Sequence, residues 1–265
     1  VPADQLLILA IVQGLTEFLP VSSSGHLVLV AELFGTDQGQ AIDVAVHLGS
    51  LLAVVVYFWR DVGFVLGGLG DFFRSRQTDA RRIFLLLALA SIPLVIVGYI
   101  LTTSGAEDAM RSTTVIGWMT IIFAVVLWLA DRYGAQRLSF RDIGIVDAIV
   151  VGLAQCLALI PGVSRSGITM SAGRALGFRR TEAARFALLL SIPAILASAG
   201  GIALDLEGNA SDLFSSDALI AAALSAVAAF ISISFMMWLL RRVGMTPFVV
   251  YRLMLGAVLL WLAYR

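Results

Sequence analysis

Long apolar runs separated by short polar segments fill this chain from one end to the other. A helix needs about 20 mostly apolar residues, at 1.5 Å of rise each, to cross about 30 Å of hydrocarbon. Six segments meet or approach that length, at about 43–59, 83–101, 113–130, 186–204, 218–240 and 247–264. They predict six transmembrane helices. Two further stretches are apolar but broken. The first, about 5–34, holds two short runs around a turn at Pro20, Ser22, Ser23 and Ser24. The second, about 143–178, carries Asp147 and Gln155 and turns at Pro161. Each reads as a helical hairpin that enters and leaves on one side. Irregular backbone at membrane depth is tolerated only where protein or a water-filled cavity satisfies its polar groups, so the two tips are expected to line a shared cavity.

Charge placement orients these elements, because short cytoplasmic loops collect basic residues. Arg60, Arg74, Arg76, Arg81 and Arg82 fall in one predicted loop, Arg132, Arg137 and Arg141 in another, Arg174, Arg179, Arg180 and Arg185 after the second hairpin, and Arg241 and Arg242 in a fourth. The intervening loops carry Asp37, the single Arg111, or Asp205, Glu207, Asp212 and Asp217. The arginine-rich loops are expected inside and both termini outside, with the first hairpin opening outward and the second inward. The two hairpins also resemble each other: Gly14-Leu15-Thr16-Glu17 against Gly152-Leu153-Ala154-Gln155, then a proline, then Val21-Ser22-Ser23-Ser24-Gly25 against Val163-Ser164-Arg165-Ser166-Gly167. Opposite orientation with matched discontinuous helices is the pattern of an inverted-topology repeat. The expected fold is thus an all-α integral membrane protein with six transmembrane helices and two re-entrant hairpins. One domain spans 1–265, with halves at 1–130 and 143–265.

Composition agrees: 60% of residues are hydrophobic and 14% charged, with a mean hydropathy of +0.96, values that belong to a bilayer protein. All 18 basic residues are arginines, which excludes any chemistry that needs lysine. The single Cys156 permits no intrachain disulfide. The first 19 residues lack the basic start and cleavage site of a secretory signal and read as part of the fold. No nucleotide-binding phosphate loop and no basic patch interleaved with aromatics is present, so no nucleic-acid partner is expected.

Polar groups placed in such a chain need a reason. A helix that starts at a serine-rich turn offers free amides and a positive dipole end to an anion. Arg165 adds a planar fork suited to phosphate oxygens; alternatively it pairs with Glu17 to hold the tips together. Gln13 and Glu17 are four residues apart on one helix face, an oxygen pair that suits Mg²⁺ or Ca²⁺. His26, in the first tip, is a candidate acid, base or nucleophile. His47 reads as a packing or interfacial residue. Ser22, Ser23, Ser24, Ser164, Ser166 and Thr169 are candidate phosphate ligands or helix caps, one of which could attack.

Gln13-Gly14-Leu15-Thr16-Glu17, the run Ser22-Ser23-Ser24-Gly25-His26 and the run from Pro161 to Thr169 resemble the motifs of bacterial undecaprenyl-diphosphate phosphatases, the family associated with bacitracin resistance. The likeness extends through Leu48 to Arg60 and the rest of the chain. It implies removal of the terminal phosphate of undecaprenyl diphosphate, recycling the carrier for peptidoglycan precursors in the bacterial inner membrane, with a divalent cation. It further implies His26 as the essential histidine, Ser23 as the candidate catalytic serine, and Ser164, Arg165, Ser166, Gly167 and Thr169 with Ser22, Ser24 and Gly25 as phosphate ligands. The family's acidic motif allows Glu or Gln at the first position; this chain has Gln13, leaving Glu17 as the main cation ligand. A lipid-phosphate transporter or flippase would share the repeat and the anion site. The pattern neither requires nor excludes a homodimer.

Overall fold

The computed structural model describes residues 3–35, 40–105, 110–205 and 213–265. Among these residues the chain is helical, and its one extended pairing is the isolated contact of Leu138 with Phe178. Six helices are long and apolar enough to cross a membrane: α3 (Gln40–Tyr57), α5 (Asp79–Ser104), α6 (Thr113–Tyr133), α9 (Arg180–Asp205), α10 (Ser216–Arg242) and α11 (Thr246–Tyr264). All six coincide with the predicted spans. Their starts are chemically marked, since Thr78, Ser112 and Ser215 each accept a hydrogen bond from the backbone of the first helical turn, as N-caps do. Large apolar side chains such as Leu52, Ile96, Phe235 and Met254 are exposed, the inverse of a water-soluble surface and appropriate to a lipid solvent.

The two broken stretches each form a pair of short helices joined by a turn, α1 (Ala3–Glu17) with α2 (Ser23–Phe34), and α7 (Ile145–Cys156), extended by one 3-10 turn, with α8 (Arg165–Ala175). The pairs occupy matching surroundings: α1 packs on α10 as α7 packs on α5, α2 on α11 as α8 on α6, and α3 meets α9 as α6 meets α11. The crossings use matching glycines. A methyl group on Gly14 would lie 2.5 Å from the Ser225 carbonyl oxygen, and one on Gly152 would lie 2.6 Å from that of Ala90. Small residues allow such close backbone approach in membrane bundles.

Two features depart from the sequence reading. The segment expected as an arginine-rich loop contains a further helix, α4 (Trp59–Phe73), packed on α5 and tied to α9 by the ion pair of Asp61 with Arg185. At 15 residues it is too short to cross a bilayer core. Arg174, grouped above with the loop arginines, is fully buried at the end of α8. Its Nε lies 3.0 Å from Asp131, and its terminal nitrogens donate to the carbonyls of Asp131, Gly134, Ala135 and Phe178, satisfying the open end of α6. Of the acidic loop residues, Asp37, Glu207 and Asp212 lie outside the described residues.

Candidate active site where the two turns meet

Both turns reverse the chain through the same unusual conformation. Ser22 and Ser164 have φ of +74° and +69° and immediately precede α2 and α8; Ser75 is the only other non-glycine residue with positive φ among the described residues. That left-handed conformation costs an L-residue about 1–2 kcal/mol, so the surroundings must enforce it. They do so reciprocally. Ser24 Oγ accepts from the Gly162 amide at 2.9 Å, Ser166 Oγ donates to the Leu19 carbonyl at 2.8 Å, and Arg165 Nη2 meets Glu17 Oε1 at 2.6 Å. Within each turn the flanking serines also pair, Ser22 with Ser24 at 3.0 Å and Ser164 with Ser166 at 3.2 Å.

A residue from α11 locks this junction. Arg252 is fully buried. Its guanidinium donates to the carbonyls of Gly162 at 2.9 Å, Val163 at 3.0 Å, Pro20 at 3.4 Å and, from α6, Thr120 at 3.2 Å. No carboxylate pairs with it among the described residues. Gly167 is what makes room, because a methyl group there would sit 2.8 Å from Arg252 Nη1. Gly25 similarly lets α2 approach α11 at Leu255 and Leu259.

The predicted site residues divide by how their polar groups are spent. Thr169 is buried and donates to the carbonyls of Arg165 and Ser166; Ser166 donates across the junction; Ser164 caps its own helix by accepting from the Gly167 amide at 3.2 Å. These three hydroxyls hold the second turn together. At the first turn the situation differs: α2 has no side-chain cap, and the Ser23 hydroxyl makes no hydrogen bond among the described residues. Arg165 uses one nitrogen on Glu17 and makes no other side-chain hydrogen bond among the described residues. The first turn thus offers an uncapped helix start and a free serine hydroxyl, and the second, bonded to it, offers most of a guanidinium fork, groups suited to phosphate.

The sequence reading has Gln13 and Glu17 offering oxygens to one point; the structure differs. Gln13 Nε2 donates to Glu17 Oε2 at 2.7 Å and lies 3.0 Å from His47 Nε2, while its Oε1 is buried without a partner. His47 Nδ1 is 2.8 Å from the Asp43 carbonyl, which can only accept, so Nδ1 carries a proton. His47 is thus part of the polar cluster and not a packing residue. Glu17 is held from both sides, by Arg165 and by Gln13.

His26 is held as firmly. Its Nδ1 lies 2.8 Å from the Ser22 carbonyl and its Nε2 lies 2.6 Å from the Tyr251 hydroxyl, with the two rings stacked at 5.5 Å between centroids. Tyr251 and Arg252, adjacent on α11, are the site residues that sequence reasoning missed. Arg252 did carry a signal, being a charge amid an otherwise apolar span. Tyr251 carried none, because tyrosine is common near membrane interfaces.

With this geometry in hand, comparison with known proteins becomes informative. Residues 6–258 match the family described as bacitracin resistance protein BacA. An undecaprenyl-diphosphatase of Ruegeria pomeroyi is 50% identical over 261 residues, covering 98% of each chain. Those of Alcanivorax borkumensis and Rhodospirillum rubrum are 49% and 43% identical, over 98% of this chain and 98% and 95% of theirs.

Proposed function

Because the chain belongs to the bacitracin resistance protein family, we propose that it hydrolyses undecaprenyl diphosphate to undecaprenyl phosphate and inorganic phosphate in the bacterial inner membrane. The observation that carries the reading is the junction itself. Two turns bonded to each other, one carrying the uncapped start of α2 with the unbonded Ser23 hydroxyl and the other Arg165, lie in a bundle whose outer surface is apolar, so the prenyl chain can stay in lipid while the diphosphate reaches polar groups. No observation favours the transporter alternative.

In this reading the paired short helices are re-entrant hairpins related by an inverted-topology repeat. Support comes from the shared φ at Ser22 and Ser164, the equivalent glycine crossings, and the matching neighbours of the two pairs. The basic segments face the cytoplasm, and the first hairpin opens outward.

The residues present suit a hard divalent cation. Gln13 Oε1 is a buried oxygen with no partner beside the Glu17 carboxylate, and diphosphate oxygens and water would complete the shell that Mg²⁺ or Ca²⁺ prefers. Such an ion would be held by Glu17 and Gln13 after rotation of the Gln13 amide, and would supply positive charge against the diphosphate. Arg165 binds the terminal phosphoryl oxygens through the nitrogens not committed to Glu17, and the free amides at the start of α2 take a further oxygen. These fixed charges stabilise the transferring group, the main task in phosphoryl transfer. Ser23 and His26 stand on one helical turn, where His26 serves as acid-base group and Ser23 as phosphate ligand.

The test is phosphate release by the purified protein from a prenyl diphosphate. Turnover is expected in Mg²⁺ or Ca²⁺ and its loss in chelator or on Glu17→Ala, with Glu17→Gln still capturing substrate. Full activity in chelator would remove the cation from the proposal, and no release under any condition would remove the hydrolase.

A further inference from the structure

We propose that Tyr251 is the group through which His26 exchanges its proton during hydrolysis, so that the two residues act as a relay and His26 does not attack phosphorus. This rests on the diphosphatase reading above and specifies one step of it.

The argument starts from the two ring nitrogens. The Ser22 carbonyl, 2.8 Å from Nδ1, can only accept, so Nδ1 carries a proton. In the neutral ring Nε2 then holds the lone pair, and the Tyr251 hydroxyl 2.6 Å away donates to it. Both nitrogens are thereby occupied, and neither is free to bond to phosphorus. The ring cannot turn to free one, because it is stacked on Tyr251 with 6° between planes and any rotation about its bonds breaks both contacts. Nor is Tyr251 loosely placed: the next residue, Arg252, is anchored to carbonyls of both turns, which fixes this part of α11 against the site. Tyr251 is 42% exposed. Its oxygen spends its proton on His26 and retains lone pairs that can accept another.

The step balances as follows. As the oxygen of water bonds to the terminal phosphorus, the bond from phosphorus to the bridging oxygen breaks and its electron pair leaves with undecaprenyl phosphate. A proton of the attacking water passes to Tyr251 Oη, and the phenolic proton passes to His26 Nε2, giving an imidazolium held by the Ser22 carbonyl. The reverse transfer restores the neutral pair when phosphate departs.

The substitution that tests this is Tyr251→Phe, which keeps the stacked ring and removes the hydroxyl. Turnover is expected to fall by about 10²-fold or more, the usual loss when acid-base assistance is removed, with KM changed by less than about threefold, because no phosphate ligand is lost. A proton inventory in mixed H₂O and D₂O should be curved for the parent protein, which moves two protons, and linear for the variant. A second readout does not depend on turnover. The chain has only two histidines, so ¹⁵N spectra of the detergent-solubilised protein, assigned with a His47→Gln variant, report His26 Nε2 directly; its resonance should move towards that of a non-bonded nitrogen in Tyr251→Phe. Unchanged or raised turnover in Tyr251→Phe, an unmoved Nε2 resonance, or a phosphohistidine at position 26 in quenched enzyme would overturn the relay. Absence of phosphate release from the parent protein, with the Nε2 shift as expected, would instead overturn the hydrolase reading.

Discussion

At the scale of single residues, the site is built from charges that are geometrically committed. Arg165 divides a planar fork between Glu17 and the open side of the junction, and a lysine cannot do this because its ammonium is a point charge. Arg165→Lys is therefore expected to lose turnover to within about tenfold of Arg165→Ala; near-parental activity of the lysine variant in the phosphate-release assay would reduce Arg165 to a counterion of Glu17. Arg252 poses a different requirement, since its four acceptors are all backbone carbonyls. Charge-assisted bonds contribute about 1.5–3 kcal/mol each, so Arg252→Met should lower the thermal unfolding temperature in detergent by many degrees and abolish activity, with Arg252→Lys intermediate. Equal unfolding temperatures for parent and methionine variant would mean that the junction stands without it. Gln13, Glu17 and Arg165, which the structure joins, stood out in the sequence because polar groups in an apolar setting announce themselves. The direction of the Gln13 amide and the recruitment of His47 were not legible, since both depend on how α1 and α3 are rotated against each other.

At the scale of elements, the apolar length criterion found the six spans because each is a long, nearly unbroken apolar run. It missed α4, whose apolar residues are interleaved with Asp61, Asp71 and four glycines. The helix is amphipathic, with Trp59, Leu66, Phe72 and Phe73 exposed and Arg60 and Arg81 stacked on Trp59 and Phe72, a composition suited to the plane of the bilayer surface. Glycines in this chain consequently have two meanings, and substitution separates them. Gly14→Ala and Gly152→Ala drive a methyl into the carbonyls of Ser225 and Ala90, and each should destabilise by about 1–3 kcal/mol. Gly63→Ala, on α4 with nothing within 4 Å of the new methyl, should be neutral or stabilise by up to about 1 kcal/mol through helix propensity. Thermal unfolding of the three variants checks the contrast, and a similar loss at Gly63 would undo it.

At the scale of the whole molecule, the proposed orientation makes a direct statement about sidedness. With Cys156 replaced by alanine, a cysteine at Ser75 should resist membrane-impermeant label in intact cells and react in inverted vesicles, whereas a cysteine at position 2 should behave oppositely. Labelling of the Ser75 site from outside would overturn both the orientation and the inverted repeat. The two turns were legible from the two serine-glycine runs because local sequence dictates a turn. The pairing of Arg165 with Glu17 across the turns was one of two readings open from the sequence, and the structure forms it; the serine-to-backbone bonds of Ser24 and Ser166 across the junction were not legible, because those contacts span about half the chain.

The dependence of that junction on α11 also sets an order for biosynthesis. Every other contributor, from Gln13 on α1 to Thr169 on α8, precedes Tyr251 and Arg252 in the chain. A nascent protein that has inserted everything up to α10 holds two turns whose carbonyls lack their arginine and a histidine that lacks its phenol. Competence for chemistry is then a late event of membrane insertion, gained only when the helix carrying those two residues slides in against α6 and α2. Until that helix is in place, the phosphate ligands on α2 and α8 have been made but the phenol that faces His26 has not.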